Sequence, residues 1–82
     1  MPTHTVSLPG SAVLIHATNM DARQYTAVIN FTWTYDSFGE TLSQNVSTTA
    51  VVPANVQNHL IFSLQGAWVD VRVPGGVTIQ YG

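Results

Sequence analysis

Between Tyr25 and Tyr35 the chain alternates without a break: Tyr25, Ala27, Ile29, Phe31, Trp33 and Tyr35 share one parity, and Thr26, Val28, Asn30, Thr32 and Thr34 take the other. A period of two over this length belongs to an extended strand, whose successive side chains point to opposite faces, and excludes a helix, whose apolar positions recur every three or four residues. The aromatic side is the buried one. Residues 41–52 continue the pattern in matching register if Ser37-Phe38-Gly39-Glu40 forms the loop. Tyr35 then meets Leu42, Phe31 meets Val46, Ala27 meets Ala50 and Tyr25 meets Val52. On the outer side Thr34, Thr32, Asn30 and Val28 meet Ser43, Asn45, Ser47 and Thr49. One more loop residue would set apolar against polar along the whole ladder, so that register is rejected.

The rest of the chain is also rich in β-branched residues, with eleven valines, ten threonines and four isoleucines. Residues 3–8 read as a first strand, Pro9-Gly10 as a turn and residues 11–18 as a second strand. Residues 19–24 are a connection with room for one helical turn. Pro53 ends the long hairpin, and residues 53–57 cross to the C-terminal part. There, residues 58–81 lay out as a three-stranded meander. A Gln65-Gly66 turn sets Leu64 against Ala67, Phe62 against Val69 and Leu60 against Val71. A Pro74-Gly75-Gly76 turn sets Val73 against Val77, Val71 against Ile79 and Val69 against Tyr81. The expectation is an all-β fold, a small antiparallel β-sandwich or flattened barrel of about seven strands built from hairpins. It forms a single domain over residues 1–82, with Trp33 and Phe31 at the centre of the core.

Charge excludes several functions. The chain has no lysine, its only cationic side chains are Arg23 and Arg72, and its net charge is -2. Neutralising several phosphates needs more than that, so no nucleic-acid partner is expected, nor a basic membrane-surface anchor. There is no cysteine and hence no disulfide, and His4, His16 and His59 are too scattered to suggest a metal site. No motif implies a cofactor. A domain of this size buries only about 60% of the surface its unfolded chain exposes, so without disulfide or metal self-association is the remaining common source of stability. A homo-oligomer is expected. The start Met1-Pro2-Thr3-His4 lacks the positive and apolar regions of a leader, so the reading is a soluble chain, cytoplasmic or released without a signal peptide.

No catalytic set is expected. Asp36 and Glu40 are the only sequence-local pair of carboxylates and flank an exposed loop, where turn chemistry explains them. No nucleophile elbow or phosphate-binding glycine loop is present. The outer side of the C-terminal meander is more suggestive. It carries Trp68 among hydrogen-bonding side chains, with Asp70, Arg72, His59 and Gln80 as the other candidate ligand-binding residues. An indole packs on the C–H face of a sugar ring while such side chains bind its hydroxyls. The composition resembles that of microbial and fungal lectins in being poor in cysteine and lysine and rich in threonine and asparagine, and it transfers no site. The first expectation is a non-catalytic, lectin-like carbohydrate-binding protein with glycans or glycoconjugates as partners, multivalent by homo-oligomerisation. The alternative is a structural or assembly subunit, such as a coat, fibre or decoration protein, that uses its sheet faces as subunit contacts.

Overall fold

A computed structural model describes residues 1–66 and 69–82, Val69 through its backbone only; Ala67 and Trp68 lie outside the described residues. The strands are β1 (Thr3–Ser7), β2 (Ala12–Asn19), β3 (Tyr25–Ser37), β4 (Glu40–Val52), β5 (Val56–Gln65), β6 (Val69–Arg72) and β7 (Thr78–Tyr81). They form two antiparallel sheets. One has the order β1-β2-β5; in the other β3 is flanked by β4 on one edge and by both β6 and β7 on the other. The sheets pack face to face as a sandwich and do not close into a barrel. The expected all-β class is borne out, and no helix long and apolar enough to cross a membrane occurs among the described residues.

Two central strands supply most of the core. Val13, Ile15 and Ala17 of β2 face Ala27, Ile29, Phe31, Trp33 and Tyr35 of β3, all buried. Each large apolar side chain removed from water contributes about 1.5–3 kcal/mol, which is why alternation on these two strands dictates the layering. Trp33 stacks on Tyr35 at 4.7 Å, and Phe31 meets Phe62 of the opposite sheet edge-on at 5.6 Å. At one end of the sandwich His4 Nδ1 of β1 lies 3.1 Å from the Tyr81 hydroxyl of β7, tying the two sheets together. The molecule measures 48 × 19 × 16 Å. Its length follows from β3, since a strand of 13 residues extends about 44 Å.

The β3–β4 ladder has the expected register from Tyr25↔Val52 to Asp36↔Thr41 and goes one pair further, to Ser37↔Glu40. The loop is therefore the two residues Phe38 and Gly39, both at positive φ (50° and 78°). That is the backbone a two-residue hairpin needs to match the twist of its strands. The β1–β2 hairpin also pairs as expected, and residues 20–24 make a bend with no helical turn.

The C-terminal meander is corrected. Phe62 and Leu64 of β5 pair with Ile15 and Val13 of β2, and β6 lies in the other sheet, so Phe62 is not opposite Val69. Nor do β6 and β7 form a hairpin. Both run antiparallel to β3, with Thr34↔Arg72 on β6 and Ala27↔Tyr81 and Ile29↔Ile79 on β7. They act as one interrupted strand, and the Val73–Gly76 turn (Gly76 N–H to Val73 carbonyl, 3.0 Å) bulges out between them. The physical reason is edge satisfaction. A local meander would leave one side of both apolar central strands unpaired, whereas β5 completes β2 and β6 with β7 completes β3. The alternation itself holds: Val71 is buried, Ile79 and Tyr81 pack on the core, and Arg72, Thr78 and Gln80 are exposed.

One buried polar side chain joins the layers. Asn19 is fully buried; its amide donates to the carbonyls of Arg23 (2.8 Å) and Pro53 (3.0 Å), and its oxygen accepts from the Asp21 N–H (3.0 Å). It thereby anchors the β2–β3 connection to the end of β4. Replacing Asn19 with Ala strands three backbone groups, and the expected loss is on the order of 3 kcal/mol, read from urea unfolding. A loss below about 1 kcal/mol would mean that water replaces the amide.

Candidate functional site

The sequence-derived candidates do not form one constellation. Trp68 lies outside the described residues. His59 sits on β5, exposed and opposite Ala17, in the sheet that does not contain Arg72 or Gln80. The expected juxtaposition of His59 and Arg72 is therefore corrected, because β5 and β6 belong to different layers. Arg72 lies opposite Thr34 and Gln80 opposite Val28, six residues apart along β3, which is about 20 Å. Asp70 has φ 53° at the irregular pairing between Thr34 and Asp36.

What does converge is a polar cluster at the hairpin end of the molecule. Asp36 Oδ1 accepts from the Thr41 hydroxyl (2.8 Å) and from Arg72 Nη2 (2.8 Å). Arg72 is thus engaged within the protein. The Thr41 hydrogen bond, aided by the Arg72 guanidinium, holds the Asp36 carboxyl below its ordinary value of 3.8. Asp21 is shifted the same way at the other end, by the N-terminal ammonium of Met1 (2.8 Å) and the Tyr25 hydroxyl (2.6 Å). No group of three or more metal-ligating residues occurs among the described residues.

A second feature is an open cleft of about 430 Å³ on the outer face of the β3–β4 sheet. Asn30, Thr32, Asn45, Ser47 and Thr78 line it, and the Gly75-Gly76 turn between β6 and β7 forms one side. The Thr32 hydroxyl donates to Asn45 Oδ1 at 2.6 Å, fixing the orientation of that amide. All five side chains are uncharged hydroxyls or amides, suited to a neutral, hydrogen-bonding ligand. In the sequence Asn30, Thr32, Asn45 and Ser47 read only as the outer side of the long hairpin, and Thr78 as part of the separate C-terminal meander. The turn that makes one side of the cleft became visible only once β6 and β7 were seen to share an edge of β3.

The third feature is the free edge of β4. Thr26 exchanges both its backbone hydrogen bonds with Gly82 (3.0 and 2.9 Å), so even-numbered residues of β3 bond away from β4 and odd-numbered ones bond toward it. Through the observed register, the even-numbered residues of β4 are those tied to β3. Thr41, Ser43, Asn45, Ser47, Thr49 and Val51 consequently direct their N–H and C=O groups off the sheet.

The other edges are short or interrupted. Strand β1 has five residues, β5 carries two register shifts with Asn58 at φ 50°, and β6 and β7 are separated by residues 73–77. By contrast β4 runs 13 residues without a shift, contains no lysine or proline, and has Glu40 as its single charge. Leu42 and Val51 remain 39% and 53% exposed on it. Strands with these properties template pairing with another chain.

No protein-family model, curated protein or solved structure matches the chain.

The Asp36 cluster yields a pH prediction. Its folded-state pKa is lowered, so its stabilising effect is complete above the ordinary carboxylate value and disappears as pH falls through the lower folded value. Thermal melts of Asp36→Asn should therefore show a penalty at pH 7 that shrinks as pH falls below the ordinary carboxylate value of 3.8. A penalty independent of pH would assign the effect to packing.

Proposed function

We propose that this protein is a non-catalytic assembly subunit that associates with copies of itself through strand pairing. The observation that carries the reading is the β4 edge: it is the long, regular, nearly uncharged edge in a molecule whose remaining edges are short, bulged or broken. Phe38 adds support. It is fully exposed at the tip of the same hairpin in a left-handed conformation that a bulky residue adopts only at a cost, where asparagine or glycine is the usual choice. An unfavourable backbone carrying an exposed aromatic ring is the pattern of a contact residue.

Light scattering at micromolar concentration should return a mass of at least two 8.9 kDa chains. Ser47→Pro removes an outward N–H that has no partner among the described residues. It should lower the mass to 8.9 kDa while the near-ultraviolet dichroism of Trp33 and Tyr35 is kept. A wild-type protein that is monomeric under these conditions would end this reading.

The cleft favours a second reading, a carbohydrate-binding protein of lectin type. Its size falls within the range of small-ligand sites, and its uncharged hydroxyls and amides match the hydroxyl groups of neutral sugars. Binding on a glycan array should then disappear in Asn30→Ala, with the melting temperature little changed, since Asn30 is exposed. An array without signal for the wild-type protein would remove the carbohydrate reading and leave the assembly reading untouched.

A further inference from the structure

We infer that two copies pair through β4 about a two-fold axis at Val46, in the register Thr41↔Val51, Ser43↔Thr49 and Asn45↔Ser47, and that this pairing joins their two outer clefts into one trough. The inference rests on the assembly reading and specifies its partner and geometry.

The partner must be an extended strand, because what β4 offers is a row of backbone donors and acceptors at the strand repeat. That the strand is another β4 follows from self-complementarity. The outward-directed residues are the odd-numbered ones from Thr41 to Val51, and a two-fold axis at Val46 engages all of them. An axis at Asn45 leaves Val51 without a strand partner. An axis at Ser47 sets Thr41 against Pro53, which has no N–H to give.

Side chains select the same register. With the axis at Val46, Val46 meets Val46, Leu42 meets Ala50 and Gln44 meets Thr48, so apolar faces apolar and polar faces polar on the core side. Moving the axis by one residue in either direction puts Gln44 against Val46 or against Ala50. Charge agrees as well. Glu40 is the strand's one charge, and this register puts the two Glu40 side chains at opposite ends of the pair, each level with Val52.

The consequence for the cleft follows from its lining. Asn45, Val46 and Ser47 form its β4 side, and they are also the residues at the axis. Each copy's cleft therefore continues into the other's across the paired strands, doubling the row of amides and hydroxyls.

The chain has no cysteine, so a single introduced thiol can pair only with its own copy. In this register Val46 faces Val46 as a pair without backbone bonds between them, with Cα atoms about 4.5 Å apart, inside disulfide range. Two Gln44 positions, or two Thr48 positions, would be about 14 Å apart, outside it. Mild oxidation of Val46→Cys should give a covalent dimer, Gln44→Cys and Thr48→Cys alone should stay uncrosslinked, and an equimolar mixture of those two should crosslink.

A wild-type dimer in which Val46→Cys and the Gln44→Cys/Thr48→Cys mixture both fail to crosslink would overturn the register and spare the assembly reading. Crosslinking of Gln44→Cys by itself would do the same. A protein that light scattering finds monomeric would overturn both. If Val46→Cys alone disturbs packing, the mixed pair tests the same register without altering Val46.

Discussion

The structure depends on β3 being satisfied on three sides. Its odd-numbered side chains are buried against β2, one edge is paired along its whole length by β4, and the other edge is shared between β6 and β7. With no cysteine and hence no disulfide to draw on, a chain of 82 residues concentrates its apolar burial here and on β2. The arrangement has an asymmetric result. The strand next to β3 must be as long as β3, but the opposing sheet does not cover it to the same extent. Val52 at one end of β4 is fully buried, Val46 is half-buried, and Leu42 and Gln44 toward the hairpin tip are exposed although they point to the core side. An incompletely covered edge strand is thus a direct product of the strand that organises the core.

How the remaining edges are kept from pairing follows from the shortage of charge. Proteins commonly place lysine on edge strands, and this chain has none. Backbone irregularity takes that role. The two register shifts of β5, one between Phe62 and Leu60 and the other beside Asn58 at positive φ, turn the edge out of line, and residues 73–77 break the edge formed by β6 and β7. Because such devices weaken a sheet wherever they occur, their presence on β5 and on the β6–β7 edge, with β1 kept to five residues, contrasts with their absence from β4.

Residues 25–52 were legible in the sequence because two long alternating segments joined by a tight turn leave one register that keeps apolar residues together. The C-terminal part followed the same alternation, and its faces came out correctly at Val71, Ile79 and Tyr81. Its partners did not. A period of two specifies which side of a strand is buried, but any strand with a buried side satisfies it, and the choice among β2, β3 and a local neighbour is decided by which edges would otherwise stay unpaired. The proposed cluster around Trp68 depended on the local choice, which is why Arg72 and Gln80 ended about 20 Å apart and His59 in the other sheet. The β4 edge had a signal of its own that went unused, namely 13 residues with one charge and no proline.

Phe38 connects the tip of the hairpin to the pairing of its flank. A tight turn with both residues at positive φ would be more stable with asparagine in the first position, so retaining phenylalanine there costs folding energy in the isolated chain. In the two-fold register centred on Val46, the tip of each copy passes beyond Val52 of the other and comes level with Pro53 and Ala54, where the chain leaves the strand. An apolar ring arriving beside an apolar bend would recover part of that cost by removing both from water. In the proposed dimer the strained residue and the uninterrupted edge would share one explanation: both are unfavourable features of a single chain that pairing would relieve.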